Sequence, residues 1–478
     1  MTVLDFAVIV AYLAAVVAVN RYWAGRVDFS GWLTSKNTIG LGFLVFTVVS
    51  TNVGAGTLVG AAGATMHSGI GLGLTYGVGV MLGFWIMAAV TARIRSIALV
   101  GDRSSFSEFF RIRYSPAVGV AVGVAIAFLY FFYLAAQFKA LGAILEVWGG
   151  WDTRLAGLAA AVLVIWMTAG GGIRSDMYTD VIHFWAMLIT IAAGVAIEVF
   201  HHGGFGGIVT VLRAQGRWDT LVNPYVFAGP AFVWLGIGTG ALLGLPAMEN
   251  WQRVDAAKDT RAAHRAFIWS GVLNALFFGG AVVLGLVAAA ALPPDTPSNH
   301  VLYRLIERTL PPGLVGLAIV GLFAAIMSTA NTMLMVAVAV LLADILYAGK
   351  GRLAGIANLL GTTRRLTWGV GVAGLVIAYW QPQIVSLIQT ALWGSGMLLP
   401  AVIGGLFWRR ANSRAALMSI LVGFPLNFGL SFVHGLEDTS WMPALGAATF
   451  VFVAVSLATP ADPEVASFGP ARLNEVRR

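Results

Sequence analysis

The stretch GLGFLVFTVVSTNVGAGTLVGAAGA, Gly40–Ala64, decides the fold. It is long enough to cross a bilayer, which takes about 20 mostly apolar residues. Its middle does not suit a plain anchor: Ser50, Thr51 and Asn52 are polar, and Gly54 and Gly56 are poor helix formers lying close together. In hydrocarbon an opened backbone is tolerated only where protein buries it or where it lines a cavity. A break here offers free carbonyls and hydroxyls, hard oxygen ligands for a small cation. Transporters use such breaks in matching positions of two halves of the chain. Gly56 and Gly60 also make a small-xxx-small pair suited to close helix packing, so from this stretch alone both readings stay open.

Working outward, the 478 residues are 59% hydrophobic and 10% charged, with a mean hydropathy of +0.84. That excludes an ordinary soluble protein, in which about 25% of residues are charged. The absence of cysteine excludes disulfides, thiol nucleophiles and Cys-based metal clusters. Hydropathy predicts about thirteen spans, near 5–20, 40–64, 72–92, 117–147, 155–170, 177–200, 231–250, 267–292, 314–346, 367–380, 385–407, 415–433 and 441–458. The first lacks a basic leader and carries Asp5, so it reads as a helix rather than a cleaved signal. With the N-terminus outside, 23 of the 29 Lys and Arg residues fall on the inner side, Arg253 among them. The positive-inside rule then orients the chain in the cell membrane (an inner membrane in a bacterium), N-terminus out and C-terminus cytoplasmic. The net charge of +8 follows from that bias and needs no nucleic acid.

Span 231–250, AFVWLGIGTGALLGLPAMEN, contains Gly236, Gly238, Gly240, Gly244 and Pro246. Proline removes a backbone donor and clashes with the preceding turn, so an opening or kink is expected. Span 40–64 is the first of five, and 231–250 is the first of the next five. An odd number of spans per unit inverts the second unit, and two matched breaks point to a midplane site. The expected organisation is a peripheral helix and inner loop (1–39), two inverted five-helix repeats (40–200 and 201–410), two further helices (411–458) and a cytoplasmic tail (459–478).

Two further stretches are polar inside an apolar setting. In GLFAAIMSTANTMLMVAVAVLLADIL, starting at Gly321, Ala325, Ser328, Thr329 and Thr332 share one helical face. Back-bonding to the preceding turn is the structural role open to such hydroxyls. A cation would instead use the Ser328 and Thr329 hydroxyls, the Ala325 carbonyl and carbonyls of the first break. In TAGGGIRSDMYTDVIHFWAML, starting at Thr168, Asp180 is an intramembrane acid and so a candidate functional residue. Its structural alternative is a salt bridge or cap, with Arg174 as the nearby partner.

These motifs resemble the sodium/solute symporter family, and the resemblance covers nearly the whole chain. It rests on STNVGAGTLVG (Ser50–Gly60), GGIRSDMYTDVIH (Gly171–His183), WQRVDAAKDTRAA (Trp251–Ala263), AAIMSTANT (Ala324–Thr332) and PAVIGGLFWRRAN (Pro400–Asn412), in that order. It implies an all-α polytopic membrane protein with the LeuT-type five-plus-five inverted repeat, one extra helix before it and two after. It also implies a Na⁺ site between core helices 1 and 8, on carbonyls of Ser50, Val53 and Ala325 and hydroxyls of Ser328 and Thr329. A second Na⁺, where members have one, would fall on Asp180, Asn331 and Thr332; here Asn331 offers an amide oxygen where a hydroxyl is expected. His183 stands where Gln is common. The carboxylate and the amide that sugar carriers use are missing from TYGVGVMLGFW (Thr75–Trp85) and from the Gly238–Gly244 region, which disfavours hexoses.

The solute site is expected between the two breaks, with Asn52, Gly54, Gly56, Thr57, Tyr76, Tyr133, Gln137, Thr239 and Trp393 as candidates and Trp85 and Tyr130 nearby. Lys139 reads as a snorkelling residue paired with Glu146. The expected function is Na⁺-coupled symport of a small organic solute by alternating access, in a chain able to work as a monomer in the lipid bilayer. Proton coupling through Asp180 or His183 is the rival, and a transporter-like sensor is a reading from another class. No HExxH, GxSxG or paired intramembrane catalytic group supports an enzyme.

Overall fold

The computed structural model describes residues 2–460 apart from 25, 27–31, 33–36, 99–105, 312, 347–357, 381–383 and 437–438. Lys36, Arg103, Lys350, Arg352 and almost all of the expected tail, with Arg472, Arg477 and Arg478, lie outside the described residues.

Helix follows helix along the chain. α1 (Val3–Ala24) is followed by α2 (Leu41–Asn52), a π-turn (Gly56–Gly60) and α3 (Ala61–Ser68). Next come α4 (Gly71–Ala98), α5 (Phe106–Arg113), α6 (Pro116–Gly149) and α7 (Thr153–His201). Two short helices, α8 (Gly204–Ala214) and α9 (Trp218–Val222), lead to α10 (Gly229–Leu243), α11 (Met248–Ala256) and α12 (Thr260–Ala291). Then follow α13 (Val301–Thr309), α14 (Leu314–Val340), α15 (Leu359–Trp380), α16 (Ile384–Ser395), α17 (Leu399–Phe407), α18 (Ser413–Leu430) and α19 (Trp441–Ala458). Among the described residues ten helical segments are long and apolar enough to cross a membrane, and the pair Leu41–Asn52 and Gly56–Ser68, bent by 58°, makes an eleventh.

Local chemistry sets the ends. Ser115 caps α6 by accepting from the Val118 amide, with Pro116 at the first helical position, and left-handed Gly150 closes it. Asp152 and Asp259 cap α7 and α12 in the same way. At 49 residues α7 would be about 73 Å long if straight, more than twice the bilayer core. Gly172 divides it, with φ +58 and ψ −163, so the expected spans 155–170 and 177–200 form one run broken at that glycine. A Cβ on Gly172 would stand 2.7 Å from Cα of Trp32, so the turn needs glycine both for its dihedral and for its space.

Burial ranks the helices. Along α14 and its continuation 94% of the best membrane-length window is inside the protein, against 22% for α1. The helix carrying Ser328, Thr329, Asn331 and Thr332 is therefore the central post, and α1 is peripheral. On one side the chain before α2 is laced to the end of α11. The amides of Asn37, Thr38 and Ile39 donate to carbonyls of Asp255 and Ala256, and Lys258 N donates back to Ile39 O at 2.7 Å. Arg95 adds bonds to the Val254 and Ala257 carbonyls. This lacing ties the start of the first interrupted element to the end of the second.

Candidate ion and solute site

Both expected breaks are present. α2 ends at Asn52, Val53 is extended at φ −89 and ψ 93, and helix resumes at Gly56 as a π-turn. The second break runs over Gly244–Ala247, between α10 and α11, where Pro246 cannot donate. The first break lies against α6 and α14. Gln137 Oε1 accepts from the Ala55 amide at 3.0 Å, and a Cβ on Gly54 would stand 2.6 Å from Thr329 Oγ1 and 2.9 Å from Gln137 Oε1. Glycine at 54 is what lets the broken backbone approach the central post this closely.

Three of the five oxygens expected to hold Na⁺ converge. Thr329 Oγ1 lies 3.1 Å from Ala325 O and 3.5 Å from Ser50 O. A hard cation with oxygen ligands at roughly 2.3–2.6 Å holds adjacent octahedral ligands roughly 3.3–3.7 Å apart, close to these separations. The bond to Ala325 is the back-bond of a membrane threonine, whereas the approach to Ser50 joins two elements. Ser328 donates its proton to Asp180 Oδ1. That donation leaves the lone pairs of its oxygen available to a cation. Val53 is fully buried at the break.

The residues expected around a second cation have other partners. Asp180 accepts from Ser328 and from Thr47, and its carbonyl accepts from Ser50 Oγ at 3.0 Å. Asn331 Oδ1 accepts from Thr168 at 3.0 Å, and Thr332 donates to Asp176 Oδ2 at 2.8 Å. In their midst sits Arg253, 1% exposed. Its Nη2 reaches Thr51 at 2.8 Å, Thr332 at 3.0 Å, Asp176 Oδ2 at 3.3 Å and Asp180 Oδ2 at 3.9 Å. The basic residue beside Asp180 is therefore Arg253, not Arg174, whose guanidinium lies 4.8 Å over the Trp23 ring. Read from the sequence, Arg253 belongs with the inner-loop charges; in the fold it is a core residue. Asp176, Arg253 and Glu249 are the charged site residues that sequence reasoning passes over. Asp176 stands four residues before Asp180 on the same face, which is the available signal.

Between the breaks lie two adjoining cavities of about 70 Å³ each. The first is lined by Asn52, Gly54, Gly56, Thr57, Tyr76, Tyr133, Gln137 and Thr329, among others. The second shares Asn52, Tyr76 and Tyr133 and adds Tyr130, Glu249, Asn250 and Ser395. Thr239 and Trp393 line neither. Trp393 instead stacks on Trp441 with 4.3 Å between centroids and backs the Tyr76 ring at 5.6 Å, so it supports the wall from behind. Trp85 is 42% exposed and bonds to Ile268 O, away from the cavity. Lys139 points to Ala378 O at 3.4 Å. His183 faces α1, with Nδ1 2.9 Å from Tyr12 Oη. Glu249, an acid within a membrane-length segment, is legible as a candidate by that fact alone.

The arrangement has known counterparts. Over 435 residues, 87% of this chain and 88% of the relative, the sequence is 24% identical to the sodium/pantothenate symporter of Escherichia coli (strain K12). It is 25% identical over 427 residues to the high-affinity proline transporter PutP of Bacillus subtilis (strain 168), covering 85% and 82% of the two chains. The fold is similar to that of a Na⁺-coupled sialic acid symporter in its substrate-bound outward-open state, with a TM-score of 0.81 at 17% identity over 96% of this chain and 99% of the other. The family model described as sodium:solute symporter family matches residues 34–423. Broken spans, converging oxygens and a cavity between them thus belong to a Na⁺-coupled solute symporter and not to an enzyme, and the chain is a member of the sodium:solute symporter family.

Proposed function

We propose that this symporter moves one Na⁺ with each solute molecule, and that the ion is held by the carbonyls of Ser50, Val53 and Ala325 and the hydroxyls of Ser328 and Thr329. The observation that carries the reading is Thr329 Oγ1 standing within 3.5 Å of both Ser50 O and Ala325 O, across two elements. Between Asp176 and Asp180, Arg253 stands where a second ion would have to bind, its one positive charge shared by the two carboxylates. Asn331 and Thr332, already bonded to Thr168 and Asp176, then serve as struts rather than ligands.

The finer architecture is part of the same proposal. Thirteen crossings, with 40–200 and 201–410 as inverted repeats and the N-terminus outside, account for the two matched breaks and for the basic inner loops. In this topology the lacing of Asn37–Ile39 to Asp255–Lys258 is cytoplasmic. Outside Na⁺ draws the first break against α14, which shapes the cavity wall at Asn52 and Gly54. Release inside requires the lacing to part, and low inner Na⁺ favours ion departure. Coupling is the difference in Na⁺ affinity between the two arrangements. Inward Na⁺ also gains about 2.3 kcal/mol per charge per 100 mV. The monomer contains both breaks and the whole cavity, which supports a monomeric working unit.

The test is the melting temperature of purified protein in NaCl and in KCl at one pH, followed by the same pair for Thr329→Ala. A ligand of the native state raises the melting temperature by mass action. The expected result is Na⁺ stabilisation in the parent and none in the variant. An unchanged Na⁺ response in the variant overturns the ion site.

A further inference from the structure

Glu249 is 7% exposed and is the one charged side chain among the described residues lining the two cavities. It sits in the first turn of α11, directly after the second break. Tyr130, which lines the same cavity, fixes it: the Tyr130 hydroxyl accepts from the Met248 amide at 3.2 Å and donates to Glu249 Oε2. With both roles used, that hydroxyl orients the carboxylate but does not neutralise it. No Lys, Arg or His among the described residues lies within 4.0 Å of it. Arg253, one turn along α11, is paired with Asp176 and Asp180 and reaches Glu249 only as a longer-range charge.

We infer that Glu249 is a specificity residue, and that the solute carries a protonated amine or quaternary ammonium which meets this carboxylate; the inference rests on the cavity being the solute site. A buried carboxylate without a cationic partner is costly. A cationic solute supplies that partner only while it is bound. The rings of Tyr76, Tyr130 and Tyr133 add aromatic faces, which attract such cations within about 6 Å of a ring centroid. The same carboxylate acts against other solutes. An anion in this cavity meets no fixed positive charge and one fixed negative charge, and specificity rests as much on that repulsion as on attraction. Pantothenate and sialic acid, named for two of the relatives, bear a carboxylate and no ammonium, whereas proline, named for the third, bears both.

The experiment is thermal stabilisation of the purified full chain in NaCl by four probes. Choline and ethanolamine carry the ammonium, 3,3-dimethyl-1-butanol is the neutral isostere of choline, and pantothenate is the anion. At least one ammonium probe is expected to raise the melting temperature, with no shift from the isostere or from pantothenate. Glu249→Gln is expected to weaken the responding amine at least tenfold. Tyr130→Phe, which keeps the ring, is expected to weaken it less. Stabilisation by Na⁺ alone reports folding and the ion site in every variant, so failure of the transporter reading appears there and not in the probe panel. Stabilisation by pantothenate, an unchanged amine response in Glu249→Gln, or no response to either amine overturns the inference.

Discussion

Arg253 Nη2 lies 3.3 Å from Asp176 Oδ2, with both side chains almost wholly enclosed. This pair joins the helix after the second break to the helix after Gly172. Through Thr51 and Thr332 the same guanidinium nitrogen also holds the first broken helix and the central post. Four elements, α2, α7, α11 and α14, therefore meet at one atom. Burying an ion pair is costly in itself, and its value is in specifying one arrangement.

Removing one partner of such a pair leaves an uncompensated buried charge, which costs about 3–5 kcal/mol. Arg253→Ala is therefore expected to lower the melting temperature sharply, and Asp176→Asn to do so less because the amide still accepts. Arg253→Lys keeps the charge but has no planar fork and is expected to recover only part of the loss. Melting curves of the three variants in detergent check this, and an Arg253→Ala protein as stable as the parent refutes the structural role.

Both breaks are legible in the sequence because glycine and proline weaken a helix wherever they stand in an apolar stretch. Gly54 and Pro246 each do what their type suggests. The depth of Arg253 is not legible, since a single arginine after a span reads as a loop charge until its carboxylates are seen. Asp176 and Asp180 lie some 75 residues away in sequence and meet it only through packing. Trp393 escapes the sequence for a related reason. An aromatic near a cavity can form its wall or its backing, and the stack on Trp441 decides for backing. Thr239 likewise shares the region of the cavity without facing it.

Gly54→Ala separates the close approach from the ligands themselves. Its Cβ would stand 2.6 Å from Thr329 Oγ1, well inside contact distance, so the break and the threonine must move apart. Apparent Na⁺ affinity is expected to fall at least tenfold, about 1.4 kcal/mol, with helix content unchanged. Na⁺ titration of the melting temperature with circular dichroism as the fold control measures both. Retained affinity would show that the approach of the break to the post is not what shapes the ion site.

His183→Gln addresses proton coupling. The imidazole is buried against Tyr12 of the peripheral α1 and does not line either cavity. Glutamine retains a group able to bond the Tyr12 hydroxyl. Uptake into proteoliposomes is expected to keep its Na⁺ dependence and its pH profile. A pH profile that flattens in the variant would give His183 a part in coupling.

Asp180→Asn tests the number of ions. Asp180 accepts from Ser328, and that bond fixes the serine hydroxyl while leaving its oxygen able to accept. An asparagine keeps one acceptor but removes one of the two carboxylate charges that share Arg253. Apparent Na⁺ affinity is expected to fall several-fold, because Ser328 is less firmly oriented. The ratio of Na⁺ to solute is expected to remain one to one, because Arg253 fills the space between Asp176 and Asp180 that a second Na⁺ would need. Paired flux of labelled Na⁺ and solute in proteoliposomes gives the ratio for parent and variant under the same gradient. A parent ratio of two that drops to one in Asp180→Asn would assign a second ion to Asp180 and leave Arg253 with its structural role alone.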